Sequence, residues 1–191
     1  VYPLADSLKA LLTADRPKLV SGNKASYGPG TIRLPEDGVI NIKNRSKTIT
    51  AEVDVPAGAS NGTILAQGGR FGGWALYVKN GVPAYDYNYL GMKSTSITAS
   101  KPLPAGKATI RYDFAYDGGG PGKGGMGTLF VNGEKVAEGR IEHTEAGLFS
   151  ADETADVGID LGTPVVEAIG SEAKSKFTGH IPKVTVEVRQ P

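Results

Sequence analysis

The chain has 191 residues, a length that suits one domain and allows a sizeable core. Its 21 basic and 20 acidic side chains leave a net charge of +1, without the basic excess of a nucleic-acid binder. No apolar run approaches the roughly 18 residues of a membrane-spanning helix, and the lack of cysteine excludes disulfides and thiol chemistry. Because the chain begins at Val1 rather than Met, we expect a fragment, a processed product or a cloned domain.

The first 17 residues carry a helical pattern that the rest of the chain lacks. Leu4, Leu8, Leu11 and Leu12 fall at helical spacing, and Pro17 ends the pattern. The sequence therefore predicts a short N-terminal helical arm or linker over residues 1–17, followed by a β-sandwich domain over residues 18–191.

Short strand patterns follow in chain order. The clearest is Ile49–Val55, where apolar and polar residues alternate as they do in a strand with one buried face. Asn80-Gly81 and Asn132-Gly133 accept positive φ and predict two-residue hairpin turns. The 27 glycines, about twice typical usage, suit tight turns. These signals predict an all-β jelly-roll sandwich, with further strands at Thr31–Leu34, Val39–Ile42, Thr63–Gln67, Trp74–Lys79, Pro83–Tyr87, Lys107–Tyr116, Leu129–Val131, Lys135–Ala137 and Val184–Val188.

A glycine-rich segment, Asp117–Gly127, lies between two of these strands. It lacks the spacing of a phosphate-binding loop, because Asp117 stands where Gly is needed and Gly124 where Ser or Thr is needed. We interpret it as a connecting loop, or as a contact with a neighbouring domain in which Lys123 is an exposed charge.

No catalytic residue is predicted. The segment Ser100–Pro104 resembles a sulfatase nucleophile signature, but Pro104 replaces its essential Arg, and only two histidines, His143 and His180, occur. The carboxylate spacing of a sandwich-type glycoside hydrolase is also missing, which makes such an enzyme the least favoured alternative.

Three acidic residues are candidates for a calcium site. Asp152, Asp156 and Asp160 offer the oxygen ligands that calcium prefers. The alternative is that Asp152 and Asp156 cap turns by accepting backbone hydrogen bonds.

Aromatic residues gather on the first predicted hairpin. By strand alternation, Tyr85, Tyr87 and Tyr89 share one face. We favour core packing for this group, with contact to a second domain or stacking on a glycan as alternatives. The candidate binding residues are Arg70, Trp74, Tyr85, Tyr87, Asn88 and Tyr89, with Asp86 as a polar neighbour.

Several segments in order carry a family resemblance. They include Val39–Asn44 (VINIKN), Gly72–Lys79 (GGWALYVK), Gly127–Gly133 (GTLFVNG) and Phe149–Gly158 (FSADETADVG). Together they resemble the C-terminal accessory region of bacterial arylsulfatases, which belong to the formylglycine-dependent sulfatases. The resemblance covers about residues 18–188, most of the chain.

The resemblance implies that sulfate-ester chemistry belongs to an upstream catalytic domain, none of whose catalytic residues occurs here. It further implies a concanavalin A-like or laminin-G-like sandwich. Its role would be to pack on the sulfatase domain of the same parent chain, to shape the substrate entrance or to bind glycan, and the resemblance does not choose among these. The parent would be periplasmic or secreted. The principal alternative is a carbohydrate-binding, lectin-like module with a glycan as its partner. No cofactor is expected apart from the calcium candidates, and no nucleic-acid or membrane partner is expected.

Overall fold

The computed structural model describes residues 19–58 and 60–189. The N-terminal arm predicted over residues 1–17 lies outside the described residues. The described part contains two short 3-10 helices, Glu36–Gly38 and Glu172–Lys174. Its strands are β1 (Lys24–Tyr27), β2 (Lys47–Val55), β3 (Gly62–Gly69), β4 (Gly72–Lys79), β5 (Val82–Tyr89), β6 (Lys93–Thr98), β7 (Gly106–Tyr116), β8 (Lys123–Val131), β9 (Glu134–His143), β10 (Ala155–Val157) and β11 (His180–Val188).

The strands form two antiparallel sheets. The larger sheet has the order β1-β11-β2-β7-β8-β9, and the smaller sheet has the order β10-β3-β4-β5-β6. Both sheets contribute side chains to one hydrophobic core, as in a sandwich. The predicted all-β jelly-roll β-sandwich is confirmed.

Alternation along the strands builds the larger sheet. In β2, Ile49, Ala51, Val53 and Val55 are buried, while Glu52 and Asp54 between them are exposed. β7, which pairs with β2, repeats the pattern and places Ile110 opposite Ala51. Because successive side chains of a strand point to opposite faces, one face of this sheet joins the core and the other meets solvent.

The strands β3, β4 and β5 of the smaller sheet are buried on both faces. Trp74, Leu76 and Val78 of β4 lie in the core between the sheets. The alternate residues Ala75 and Tyr77 lie in a second apolar cluster on the outer face. That face is covered by residues 159–176, which we call the strap.

The strap packs on the outer face through three apolar side chains. Val165, Val166 and Ile169 lie against the sheet residues of the second cluster. The Thr163 side chain of the strap approaches the sheet closely at Gly69, where an added Cβ would lie 2.6 Å from its Oγ1. Glycine is needed there because any side chain would push the strap away from the sheet.

Turns were predicted more accurately than short strands. Asn80-Gly81 and Asn132-Gly133 connect β4 to β5 and β8 to β9, with φ near 50° at each Asn. In contrast, the segment Val39–Ile42 forms no strand, although its three apolar residues are buried. Within Thr31–Leu34, only Leu34 makes a bridge, an isolated one to Ala155. The apolar residues of Val39–Ile42 fill the core, so their pattern reflects burial rather than pairing. The strands β1, β6 and β10 were not predicted.

Candidate functional site

A pocket of about 390 Å³ lies on the outer face of the smaller sheet. One wall is the strap segment 164–168, and the opposite side is formed by β5, the beginning of β6 and the turn between them. We call it the outer pocket. It is lined by Arg70, Asp86, Asn88, Gly91, Met92, Lys93, Ser94, Pro164, Val165, Val166, Glu167 and Ala168.

Asp86 is the buried charged group of the outer pocket. Its Oδ1 accepts hydrogen bonds from the Tyr77 hydroxyl at 3.1 Å and the Ser96 hydroxyl at 2.5 Å. Its Oδ2 accepts no hydrogen bond within the described part of the chain, although the residue is only 6% exposed. Burial raises the pKa of the carboxyl, and the two hydroxyl donors partly oppose that shift. A ligand hydroxyl that reached Oδ2 would satisfy the remaining acceptor.

Asn88 lies two residues further along the same face of β5 and holds two neighbouring turns together through hydrogen bonds. Its side-chain amide donates hydrogen bonds to the carbonyl oxygens of Gly69 at 3.1 Å and Arg70 at 2.8 Å. Its Oδ1 accepts from the backbone N–H of Gly91 at 3.0 Å. The residue therefore ties the β3–β4 turn to the β5–β6 turn. Since both amide protons are already donated, Asn88 shapes the pocket instead of offering donors to a ligand.

Arg70 stands at the mouth of the pocket. Its Nε contacts Oε1 of Glu167 on the strap at 2.9 Å, and both side chains are largely exposed. Such an exposed pair adds little stability. The Arg70 backbone N–H donates to Oγ1 of Thr163 at 2.9 Å, and that hydroxyl donates to Glu153 at 2.6 Å. These bonds anchor the strap to the β3–β4 turn, and both Nη groups of Arg70 keep donors for a ligand.

Three of the predicted aromatic contacts lie in the core. Trp74, Tyr85 and Tyr87 are at most 2% exposed. The Trp74 indole donates to Oε1 of Gln67 at 3.1 Å, and the Tyr87 hydroxyl accepts from the Glu145 backbone N–H at 2.7 Å. Their rings therefore cannot stack on a glycan or a second domain at the surface, because strand alternation turns them toward the other sheet. The favoured interpretation, core packing, is confirmed for these three residues.

The two remaining candidates lie away from the outer pocket. Tyr89 is half-buried, with its ring centroid 5.8 Å from that of His143. Lys123 begins β8 in the larger sheet, where its backbone N–H donates to the Tyr116 hydroxyl at 3.0 Å. Neither residue lines the outer pocket.

The three calcium candidates do not form a common ligand set. Asp156 and Asp160 are buried, whereas Asp152 is exposed. Asp156 accepts from the backbone N–H of Arg33 at 2.6 Å, and Asp160 accepts from that of Val165 at 2.9 Å. Within residues 19–58 and 60–189, no three His, Cys, Asp or Glu side chains are grouped to hold a metal ion. For Asp156, the turn-capping alternative matches this hydrogen bond, and Asp160 accepts a backbone hydrogen bond in the same way.

The strap and the apolar residues at the pocket mouth were not predicted from sequence. Phe71 and Met92 lie on turns and are 75% and 74% exposed. The available sequence signal was an aromatic residue, Phe71, beside the glycines of a turn. Turn residues have no hydrophobic periodicity, so the sequence does not show whether such a side chain is buried or exposed. In the part of the chain that the structure describes, no helix is long and apolar enough to cross a membrane.

Comparison with known proteins is informative at the level of structure. No protein-family model matches the chain, and no curated protein matches it. The CBM40 carbohydrate-binding module of Ruminococcus gnavus IT-sialidase, bound to α2,3-sialyllactose, aligns with 14% identity and a TM-score of 0.55, over 89% of this chain and 90% of that chain. Its complex with α2,6-sialyllactose aligns with 17% identity and a TM-score of 0.51, over 91% and 95%.

A sialidase from a second organism also aligns. The NanB sialidase of Streptococcus pneumoniae matches with 11% identity and a TM-score of 0.54, over 87% of this chain and 26% of that chain. At such identities the likeness shows the fold alone. The arylsulfatase resemblance stays a prediction.

Proposed function

We propose that this chain is a carbohydrate-binding, lectin-like module and that the outer pocket holds a sugar. The observation that carries the proposal is Asp86, a buried carboxylate with one acceptor oxygen left open toward a pocket. Carboxylates accept strong hydrogen bonds from hydroxyl groups, and sugars present several hydroxyls on one small ring. The sandwich fold supports the proposal, because solved modules of this fold include one bound to sialyllactose.

The surroundings of Asp86 suit a polar ligand of this size. Arg70, Lys93 and Ser94 add donors around the opening, and Val165 of the strap adds an apolar wall. Small-molecule sites typically combine an apolar lining with a few placed polar groups and reach about 300–1,000 Å³. A pocket of about 390 Å³ accommodates one sugar ring.

The test is a glycan-binding measurement with an isosteric variant. The panel contains maltotriose, cellotriose, triacetylchitotriose and α2,3-sialyllactose, on an array and then by calorimetry. We expect Asp86→Asn to weaken binding by about ten- to hundredfold, because a hydrogen bond to a charged group contributes about 1.5–3 kcal/mol. The exposed Asp37→Asn is the matched control and should bind normally. Equal affinity of the two variants would count against the site.

The same samples also test the hydrolase alternative. Glycans recovered after long incubation are analysed for cleavage, since an enzyme of sandwich fold would consume them. We expect intact glycans, because no motif for paired catalytic carboxylates was found in the sequence.

A second candidate function is the accessory domain of a periplasmic or secreted arylsulfatase. The observation that favours it is the group of exposed apolar residues Phe71, Leu90 and Met92, since such patches often mark interaction sites. Its test is the mass of the intact gene product, with sulfatase activity assayed on the same fraction. A gene product of only 191 residues would contradict the accessory-domain hypothesis.

A further inference from the structure

Three large apolar side chains stand together beside the outer pocket. Phe71, Leu90 and Met92 are 75%, 43% and 74% exposed, and we call them the rim. Phe71 belongs to the β3–β4 turn, and the other two belong to the β5–β6 turn. The turns touch, because a Cβ added at Gly91 would lie 3.4 Å from the Cα of Phe71. Met92 also lines the pocket, so rim and pocket form one continuous surface.

The rim is held in place before any ligand arrives. Asn88 bonds to the backbone of both turns, and Thr163 holds the Arg70 backbone next to Phe71. Loops that are ordered in advance lose less conformational entropy on binding. A fixed apolar surface next to a polar pocket is therefore suited to a ligand that spans both.

A comparison of three two-residue turns between strands sets Leu90 apart from its counterparts. The turns Asn80-Gly81, Asn132-Gly133 and Leu90-Gly91 all have positive φ at both residues. The first two carry Asn, which tolerates this conformation, whereas the third carries Leu at φ 54°. Core packing does not explain why Leu rather than Asn occupies this position, because the Leu90 side chain is 43% exposed. Strained residues of this kind concentrate at functional sites.

We infer that the rim is a second sugar subsite, an inference that rests on the proposed glycan-binding function. One ring of the glycan lies in the outer pocket with its hydroxyls on Asp86, and the next ring lays its C–H face on Phe71 and Met92. The ligand is therefore an oligosaccharide of at least two rings rather than a monosaccharide. Continuity with the pocket favours this occupant over a second copy of the chain or a second domain.

The experiment compares chain lengths of one sugar. Calorimetry is run with the array trisaccharide that binds most tightly and with its terminal monosaccharide. The variants are Phe71→Ala and Met92→Ala, and Met126→Ala on the larger sheet is the matched exposed control. We expect Phe71→Ala to weaken trisaccharide binding about tenfold and to leave monosaccharide binding unchanged. The control should match the wild type for both ligands.

The other outcomes separate this inference from the proposed function. If Asp86→Asn weakens binding as expected but the rim variants bind the trisaccharide normally, the subsite inference is wrong and the pocket stands. If the wild type binds no glycan of the panel, both are overturned. If Phe71→Ala instead converts a dimer to a monomer in sedimentation, the rim is an interface between copies and the inference is again overturned.

Discussion

At the scale of single residues, neighbouring positions on one strand face have different roles. Asp86 keeps an acceptor oxygen that no described residue occupies, whereas Asn88 uses its amide to join two turns. Leu90 completes the group with a backbone conformation that a branched apolar residue adopts at a cost. The arrangement places local strain next to the candidate site, as expected where binding rather than stability selects a residue.

The strain at Leu90 is measurable. We expect Leu90→Asn to raise the free energy of unfolding by about 1 kcal/mol, because a left-handed conformation costs an ordinary residue about 1–2 kcal/mol and Asn much less. Urea denaturation measures the change. Leu148→Asn, at a similarly exposed Leu without positive φ, is the control and should not stabilise the domain. Equal gains from both variants would show that lost hydrophobic exposure, not the backbone, is responsible.

At the scale of structural elements, the strap decides where the pocket lies. Asp160 organises it, since its Oδ2 accepts from Val165, its N–H donates to Ser175 Oγ at 2.8 Å, and its carbonyl accepts from Glu172 at 2.7 Å. Burial, together with the negative charges of nearby acidic groups including Asp156, raises the pKa of Asp160 to about 7. The folded strap therefore holds a proton that the unfolded chain releases.

This proton makes strap stability depend on pH. Between the ordinary carboxyl value of 3.8 and about 7, the folded state binds more protons than the unfolded state, so the free energy of unfolding falls as pH rises. The slope from one group reaches about 1.4 kcal/mol per pH unit. We expect Asp160→Asn to flatten this part of the profile, measured by urea denaturation from pH 4 to 7. The control Asp37→Asn should keep the wild-type slope.

At the scale of the whole molecule, the sandwich encloses a lysine. Lys47 lies on the inward face of β2 and is 3% exposed, with Nζ 4.3 Å from the centroid of the Phe114 ring. Burial, together with the positive charge of Lys43, lowers its pKa to about 7. The contact with the aromatic ring offsets only part of the lost hydration.

Burial of this lysine lowers the free energy of unfolding at every pH below its ordinary pKa of 10.5. Between about 7 and the ordinary value of 10.5, the unfolded state binds the extra proton, so the free energy of unfolding rises with pH. Lys47→Met should stabilise the domain most at pH 7 and below, with a gain that shrinks toward pH 10.5. Thermal unfolding across this range measures it. Lys79→Met, at an exposed position, should leave the profile unchanged.

The sequence by itself determined the fold class and much of the core. Alternation along Ile49–Val55 and Lys107–Tyr116 and the two Asn-Gly turns depend on neighbouring residues, so a local pattern reveals them. The preference for core packing of Trp74, Tyr85 and Tyr87 is confirmed by their burial. Of the predicted binding residues, Arg70 and Asn88 line the outer pocket.

Only the tertiary structure decided where a ligand can bind. Asp86 is an ordinary polar residue of an alternating strand until the strap, more than seventy residues later in the chain, covers that sheet face and leaves an opening above it. The rim exists because two turns that are separate in sequence meet through Asn88. Strand periodicity assigns a side chain to a face, but it carries no information on what distant segment covers that face.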